Sequence, residues 1–366
     1  MVNQKRLVDN FLRLASILSY SGSENELSQV IQKEFTSLDI AYSVDNTGNI
    51  HAVIPENGKG YKAVMFCCHM DTVKLGGRII PLLRGDIITS DGTSILGADD
   101  KAGIVCVLEM LHILHDNNIL HGNIEVVFTV MEEKGLLGAK AFDCSILRSK
   151  LGYIVDGGMK PGHLTVAAPY KNRIEVAIKG KAAHAGANPE AGISAIQVAA
   201  KSIADMKLLR IDEQTTANIG TISGGTSENI VCPEVAIIGE VRSHNTESLK
   251  MQTEHMRKCV LDAASVYGAE ADFHVYSQYS GYDIPLDQYV VSCFKKACAG
   301  AGLEFRSHAS GGGTDANIFN EAGISAVVIG MGVKNPHTMN ESISVNDLKD
   351  TAKLLIQLVK AITVHS

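Results

Sequence analysis

KAVMFCCHMD, residues 62–71, sets the reading of the whole chain. The short apolar run from Lys62 to Cys68 is what a strand covered on both faces requires, and it ends on His69-Met70-Asp71. Outward from it the pattern repeats. Residues 102–114 carry helical periodicity, 123–130 (NIEVVFTV) form a second apolar run, and 153–156 (YIVD) end a third. Upstream, Ser23 and Glu26 form a capping box before Leu27, Val30, Ile31, Phe35 and Leu38 at helical spacing. Strands alternating with helices imply a largely parallel α/β sheet.

The middle of the chain changes rhythm. Strands are predicted over 173–179, 216–222, 235–242 and 271–277, with helices over 191–209 and 246–267. That order, βαββαβ, predicts a ferredoxin-like sheet with its own helical layer. The α/β pattern then resumes with a helix near 287–300, a short strand near 303–308, the buried strand 324–330 and a closing helix 346–363. The expected fold class is therefore a three-layer α/β domain with a mostly parallel sheet, interrupted by a smaller ferredoxin-like domain. The first would comprise residues 1–171 and 279–366, the second residues 172–278.

Composition narrows the function. The 366 residues hold 45% hydrophobic and 20% charged side chains, enough for a full core and too apolar for disorder. With 33 basic and 40 acidic residues the net charge is −7, which argues against a nucleic-acid partner. No apolar run reaches the roughly 18–20 residues that span a bilayer, so no membrane partner is expected. Asp9 and Arg13 interrupt the apolar N-terminal stretch, which reads as an amphipathic helix and not a signal peptide. None of the eight cysteines forms a C-x-x-C pair, and the expectation is a reducing, cytoplasmic setting.

In open α/β sheets ligands bind beyond the carboxyl ends of the strands. The polar residues there are His69 and Asp71 after the first run, Glu132 and Glu133 after the second, Asp156 at the end of the third, and His337 beyond the fourth. Gly97-Ala98-Asp99-Asp100 opens a helix and adds two carboxylates. Two imidazoles among carboxylates suit a borderline divalent ion, zinc foremost. Each piece also has a plain reading on its own: a surface loop for His69-Met70-Asp71, a solvated face for Glu132-Glu133, dipole-favoured helix-start carboxylates for Asp99-Asp100, a loop histidine for His337. The chain lacks G-x-S-x-G, Walker A, G-x-G-x-x-G and H-E-x-x-H. The run Ser310-Gly311-Gly312-Gly313-Thr314-Asp315 is read as a tight substrate-facing turn, with Gly312 at the substrate.

His69-Met70-Asp71-Thr72-Val73, Gly97-Ala98-Asp99-Asp100, Glu132-Glu133, Asp156-Gly157 and Asn335-Pro336-His337-Thr338 resemble, in order and spacing, the co-catalytic zinc peptidases that include peptidase T, carboxypeptidase G and aminoacylase. The resemblance runs nearly end to end and is closest to peptidase T-like proteins. It implies two divalent ions, Zn²⁺ first and Mn²⁺ or Co²⁺ as alternatives. Asp99 would bridge them, His69 and Asp156 would complete one shell, and Glu133 and His337 the other. Glu132 would be the general base for the bridging water, its alternative being a further ligand. Asp71 would hold the far nitrogen of His69, and the Asp99–Asp100 peptide would be cis. The inserted domain would act as lid and homodimer interface. In it His184, within Lys181-Ala182-Ala183-His184-Ala185-Gly186, would polarise the scissile carbonyl or hold a substrate carboxylate, and Asn229 and Arg242 would contact that carboxylate.

The resemblance implies a metallopeptidase that removes N-terminal residues from short peptides. A deacylase of N-acyl amino acids is the alternative. A non-catalytic binding relative would lack a ligand or the base, and here all are present. One position departs: peptidase T carries an arginine where this chain has Gly311.

Overall fold

Val64–His69 and Ile124–Thr129 lie side by side in parallel within a nine-stranded mixed sheet, and every residue of both is buried. The computed structural model describes residues 1–362, so residue 363 of the expected closing helix lies outside the described residues. The chain forms two compact units. One holds Met1–Ala167, Asp283–Ser310 and Thr314–Ser366; the other holds Ala168–Tyr282 and Gly311–Gly313.

In the first unit, four neighbouring strands run parallel in the order Ile124–Thr129, Val64–His69, Leu151–Gly157 and Ser325–Gly330. Their register sets His69 opposite Thr129 and Gly330 opposite Gly157, so their carboxyl ends share one edge of the sheet. Helix Val345–Ala361 packs on both Ala98–Asp116 and Tyr289–Ala301, Gln4–Ala15 packs on Ala98–Asp116, and Ala98–Asp116 and Tyr289–Ala301 meet the sheet. Within the helix Ala98–Asp116, residues 102–114 are buried except His112, as a mostly apolar helix covered on most sides must be.

Flanking strands escape the sequence pattern. Ala41–Val44 is exposed at all four residues and pairs antiparallel with Ile50–Ile54. The Asp45 side chain, which accepts from the amides of Thr47, Gly48 and Asn49 at 2.8, 2.8 and 3.0 Å, makes the turn. The expected Ser23–Glu26 capping box is corrected: the helix starts at Asn25, and its N-cap Glu24 makes no side-chain cap. Glu24 reaches instead to the amides of Gly22 (2.8 Å) and Met131 (3.1 Å), tying this helix to the loop that carries Glu132.

The second unit is a sheet in the order Leu209–Arg210, Thr215–Gly224, Glu234–Ser243, Tyr170–Lys179, Glu270–Tyr279, all antiparallel. Val235, Ile237 and Val241 alternate inward along their strand with Ile174, Val176 and Ile178 beside them, the period-2 pattern of a half-buried strand. The helices Ala195–Asp205 and Thr246–Tyr267 cover that face. The first is shorter than the sequence predicts because Ser194 caps it, accepting from the Gln197 amide at 3.3 Å.

One buried carboxylate holds the first unit together away from the strand-end edge. Glu125 accepts from the Ser149 hydroxyl (2.5 Å) and the amides of Ser149 (2.8 Å) and Arg148 (3.1 Å), with His51 Nε2 at 3.5 Å. Burial works to raise its pKa, but His51 and Ser149 prevail and lower it to about 2. A depressed carboxylate contributes stability above its unfolded pKa that is lost as pH falls through its folded one. Glu125→Gln is therefore expected to lose on the order of 2–3 kcal/mol at neutral pH. Its acid-unfolding curve should be flatter than wild type between pH 4.5 and 2; parallel curves would refute this.

Candidate metal centre

A missing side chain brings the first carboxylates together. A Cβ on Gly103 would stand 2.1 Å from the carbonyl oxygen of Val155. Only glycine lets the helix Ala98–Asp116 lie this close to the strand that carries Asp156. Ahead of Gly103 the chain leaves helical geometry at Asp99 and Asp100, and the peptide between them is cis, as the resemblance implies. Asp100 turns inward, fully buried, and accepts from the amides of His69 (3.1 Å) and Gly103 (3.2 Å). Asp99 turns to the strand ends. Its Oδ1 is 3.1 Å from His69 Nε2 and its Oδ2 is 3.4 Å from His337 Nε2, so the carboxylate stands between the two imidazoles.

Around Asp99 the donors form two sets. His69, Asp99 and Asp156 offer atoms within 4.8 Å of one another, and so do Asp99, Glu133 and His337. A third set, His69, Glu132 and Glu133, meets the same limit. His69 Nε2 is 3.6 Å from Asp156, and His337 Nε2 is 2.6 Å from Glu133. Met131 (φ 52°) and His337 (φ 61°) both hold left-handed backbone, uncommon outside glycine, and so turn Glu132, Glu133 and the second imidazole into the cluster.

Asp71 differs from expectation in detail. His69 Nδ1 is 2.9 Å from the main-chain carbonyl of Asp71, whereas the carboxylate is 3.5 Å away. The carboxylate is occupied elsewhere, accepting from the amides of Glu132 (2.8 Å) and Glu133 (3.2 Å) and the Ser21 hydroxyl (2.6 Å). The residue thus fixes the His69 tautomer through its backbone and the Glu132-Glu133 turn through its side chain.

The electrostatics are those of a site built around positive charge. Two like charges 4 Å apart repel by about 4 kcal/mol at an effective dielectric of 20. Burial, reinforced by the charge on Asp99, pushes Asp156 up to about 7, and burial raises Glu132 well above the usual carboxylate range. Burial also works to neutralise His69, but hydrogen bonds with Asp156, Asp71 and Asp99 raise it well above its ordinary value. Hydrogen bonds to Asp99 and Glu133 raise His337 to about 10. Asp99, despite burial, is held below the usual range by the two imidazoles. Imidazolium is thus the counter-charge the chain itself supplies, and divalent ions among the same donors would take its place. The donor set fits them, with imidazole nitrogen and carboxylate oxygen, the mixture zinc accepts.

Residues 65–361 match the peptidase family M20/M25/M40. The chain belongs to that family. It is 40% identical to the protein YqjE of Bacillus subtilis over 98% of this chain and 99% of the relative. Among solved structures it resembles the aminopeptidase PepT of Bacillus cereus (41% identical, TM-score 0.89) and a tripeptidase of Staphylococcus aureus (36% identical, TM-score 0.94). Both likenesses cover 99% of each chain. The activity class that follows for this M20 protein is a metal-dependent peptidase.

Within the second unit the M20 chain joins two of the remaining predicted residues. The Ala185 amide donates to the Asn229 carbonyl and the Val231 amide to the Ala183 carbonyl, both at 2.9 Å, which stitches the His184 turn to the Asn229 turn. His184 Nδ1 accepts from the amides of Gly186 and Ala187, both at 3.2 Å. Its exposed Nε2 therefore carries the proton and donates. The Asn229 side-chain oxygen accepts from the Ser227 hydroxyl at 2.7 Å.

Arg242 is engaged, not free. Its guanidinium makes a forked pair with Glu240 at 2.8 and 3.1 Å, and Lys171 joins the same carboxylate at 2.8 Å. Gly312 lies between two dissimilar glycines. A Cβ on Gly313 would fall 2.3 Å from the Tyr279 ring, whereas one on Gly311 would meet nothing within 4 Å.

The sequence pattern does not separate Asp100 from Asp99, or Asp315 from the turn that precedes it. Asp315 is buried beside the Thr129 hydroxyl at 2.6 Å, and burial pushes it up to about 6. A single pattern of acidic residues cannot separate a donor that faces an ion from one that holds backbone.

Bound metal should stabilise the fold by mass action, about 2.7 kcal/mol at a free ion concentration one hundred times Kd. Adding Zn²⁺ to chelator-treated protein is expected to raise the melting temperature by a few degrees. Unchanged melting together with no stoichiometric ion by mass spectrometry would defeat the metal reading.

Proposed function

We propose that this chain is a di-zinc aminopeptidase of the peptidase T kind, releasing N-terminal residues from short peptides. The observation that carries the proposal is the pair of donor sets sharing Asp99, with the Glu132 carboxylate close by. His69, Asp99 and Asp156 would hold one ion, and Asp99, Glu133 and His337 the other. When bound, such a pair lowers the pKa of water and polarises a carbonyl.

The chain's own residues supply the rest. Glu132, starting as the carboxylate, would take a proton from the attacking water and, as the buried acid so formed, hand it to the departing amine. Asp71 holds the Glu132 and Glu133 amides, so the base and its neighbouring ligand keep separate directions. His184 has its tautomer fixed by two amides, and from the resemblance its Nε2–H would donate to the substrate's carbonyl oxygen. Asn229 would hold the substrate beside it.

A second reading, a deacylase of N-acyl amino acids, has a specific observation in its favour. Position 311 lacks the side chain that peptidase T would direct at a peptide's far carboxylate, while Arg242, paired with Glu240, favours neither reading.

Two further assignments rest on the resemblance and on physical argument. Cytoplasmic residence suits eight unpaired cysteines, and no described helix is long and apolar enough to cross a membrane. A homodimer through the second unit suits its sheet edge. The strand Thr215–Gly224 meets Leu209–Arg210 only at residues 216 and 217, which leaves 218–224 without a strand on that side among the described residues. Sedimentation at micromolar concentration should give a dimer, and a monomer would overturn that assignment.

The activity is tested with free-amine di- and tripeptides beside N-acylated amino acids, with added Zn²⁺ or with chelator. Metal-dependent loss of the N-terminal residue is expected, and cleavage of the acylated set alone would transfer the protein to the deacylase reading. Glu132→Gln should keep its metal and lose roughly 10²–10⁴-fold in kcat. In the same panel Gly311→Arg, which has open space for its side chain, should raise kcat/KM for tripeptides with a free carboxylate over their amides. An unchanged ratio would remove position 311 from substrate recognition.

A further inference from the structure

We infer that Glu341 is a positioning residue for the metal centre: its buried carboxylate holds the backbone that presents Asp99, from the same loop that presents His337. The inference rests on the metal reading above. Glu341 is 1% exposed. Its Oε2 accepts from the amides of Leu96 (2.9 Å) and Gly97 (2.7 Å), and its Oε1 accepts from the amide of Asp99 (3.0 Å). These are the amides around the start of the helix Ala98–Asp116. An N-cap side chain ordinarily satisfies such amides, but the N-cap here is Gly97, which has none and stands in left-handed backbone. A carboxylate 244 residues further along the chain does the work of the cap.

The loop that delivers it is closed. Lys334 and Ser342 exchange both backbone hydrogen bonds, at 2.9 and 3.0 Å, and the Glu341 amide donates to the Thr338 carbonyl at 3.2 Å. His337 lies within that closed segment, with its Nε2 3.4 Å from Asp99. One loop therefore carries a candidate ligand and, four residues on, the group that fixes the backbone of the carboxylate shared by both donor sets. If Glu341 released the amides, Asp99 would lose its alignment to both sets at once. An ordinary helix cap predicts less: lower stability, with metal affinity unchanged in the folded protein.

The two are separated by titrating Co²⁺ into chelator-treated full-length protein, reading affinity by calorimetry and ligand geometry by the visible absorption spectrum. Glu341→Gln keeps one acceptor oxygen but sets an amide group against donors that need acceptors. It is expected to bind Co²⁺ 10–100-fold more weakly with an altered spectrum. Glu125→Gln, which removes a comparable buried clamp elsewhere, should bind as wild type does. Wild-type affinity and spectrum in folded Glu341→Gln would overturn the role of Glu341 alone. A wild-type protein that binds no Co²⁺ would overturn the metal reading and this inference together.

Should Glu341→Gln fail to fold, amide exchange in the wild-type protein decides. Gly97 and Asp99 should exchange slowly without metal and more slowly with Co²⁺. Exchange as fast as that of the exposed Asp91-Gly92-Thr93 turn would overturn the inference.

Discussion

Four carboxylates (Asp99, Glu132, Glu133 and Asp156) and two imidazoles crowd the carboxyl ends of parallel strands, and the repulsion among those acids is the constraint around which the first unit is arranged. Without compensating charge, side chains in such a volume would either take up protons or move apart. The structure prevents the second course. Asp99 is held by its backbone, His69 by Asp100 and the Asp71 carbonyl, and Glu132 and Glu133 by the Asp71 carboxylate. What remains adjustable is charge, and the imidazoles rise to meet the acids.

This arrangement depends on a division of labour among the acidic residues. Asp71, Asp100 and Glu341 face main-chain amides, whereas Asp99, Asp156 and Glu133 face one another and the two histidines. The first group is deeply buried and spends its lone pairs on N–H donors. The second retains lone pairs directed at a common space. Placing carboxylates behind carboxylates is eased because amide N–H groups donate to each rear member and offset part of the cost of burying it.

Much of this was legible in the sequence where hydrophobic pattern and chemistry coincide. Runs such as 62–68 and 123–130 are apolar because they are covered on both faces, and their polar successors mark the sheet edge. The βαββαβ rhythm of the second unit was equally plain, since its strands alternate and its helices are long. The hairpin from Ala41 to Ile54 was not, because a fully exposed edge strand has no inward face to declare. Nor did the sequence reveal the Glu24 contact to the Met131 amide or the Glu240 partner of Arg242. Those depend on side-chain geometry across distant segments, and an acidic residue reads the same whether it meets an amide, a guanidinium or an ion. Glu341 stands in a loop with no periodicity and no motif of its own, so nothing in the linear order distinguishes it.

The insertion of the second unit between Ala167 and Asp283 has a consequence for biosynthesis. His69, Asp99, Glu132, Glu133 and Asp156 all leave the ribosome before the inserted unit does, and His337 and Glu341 leave after it. A nascent chain must therefore carry an acidic cluster with one imidazole, and no clamp on Leu96, Gly97 and Asp99, until His337 and Glu341 have emerged. The cluster is completed only once residue 341 has been made, so products truncated before residue 337 lack both the last donor and the loop that aligns the shared one.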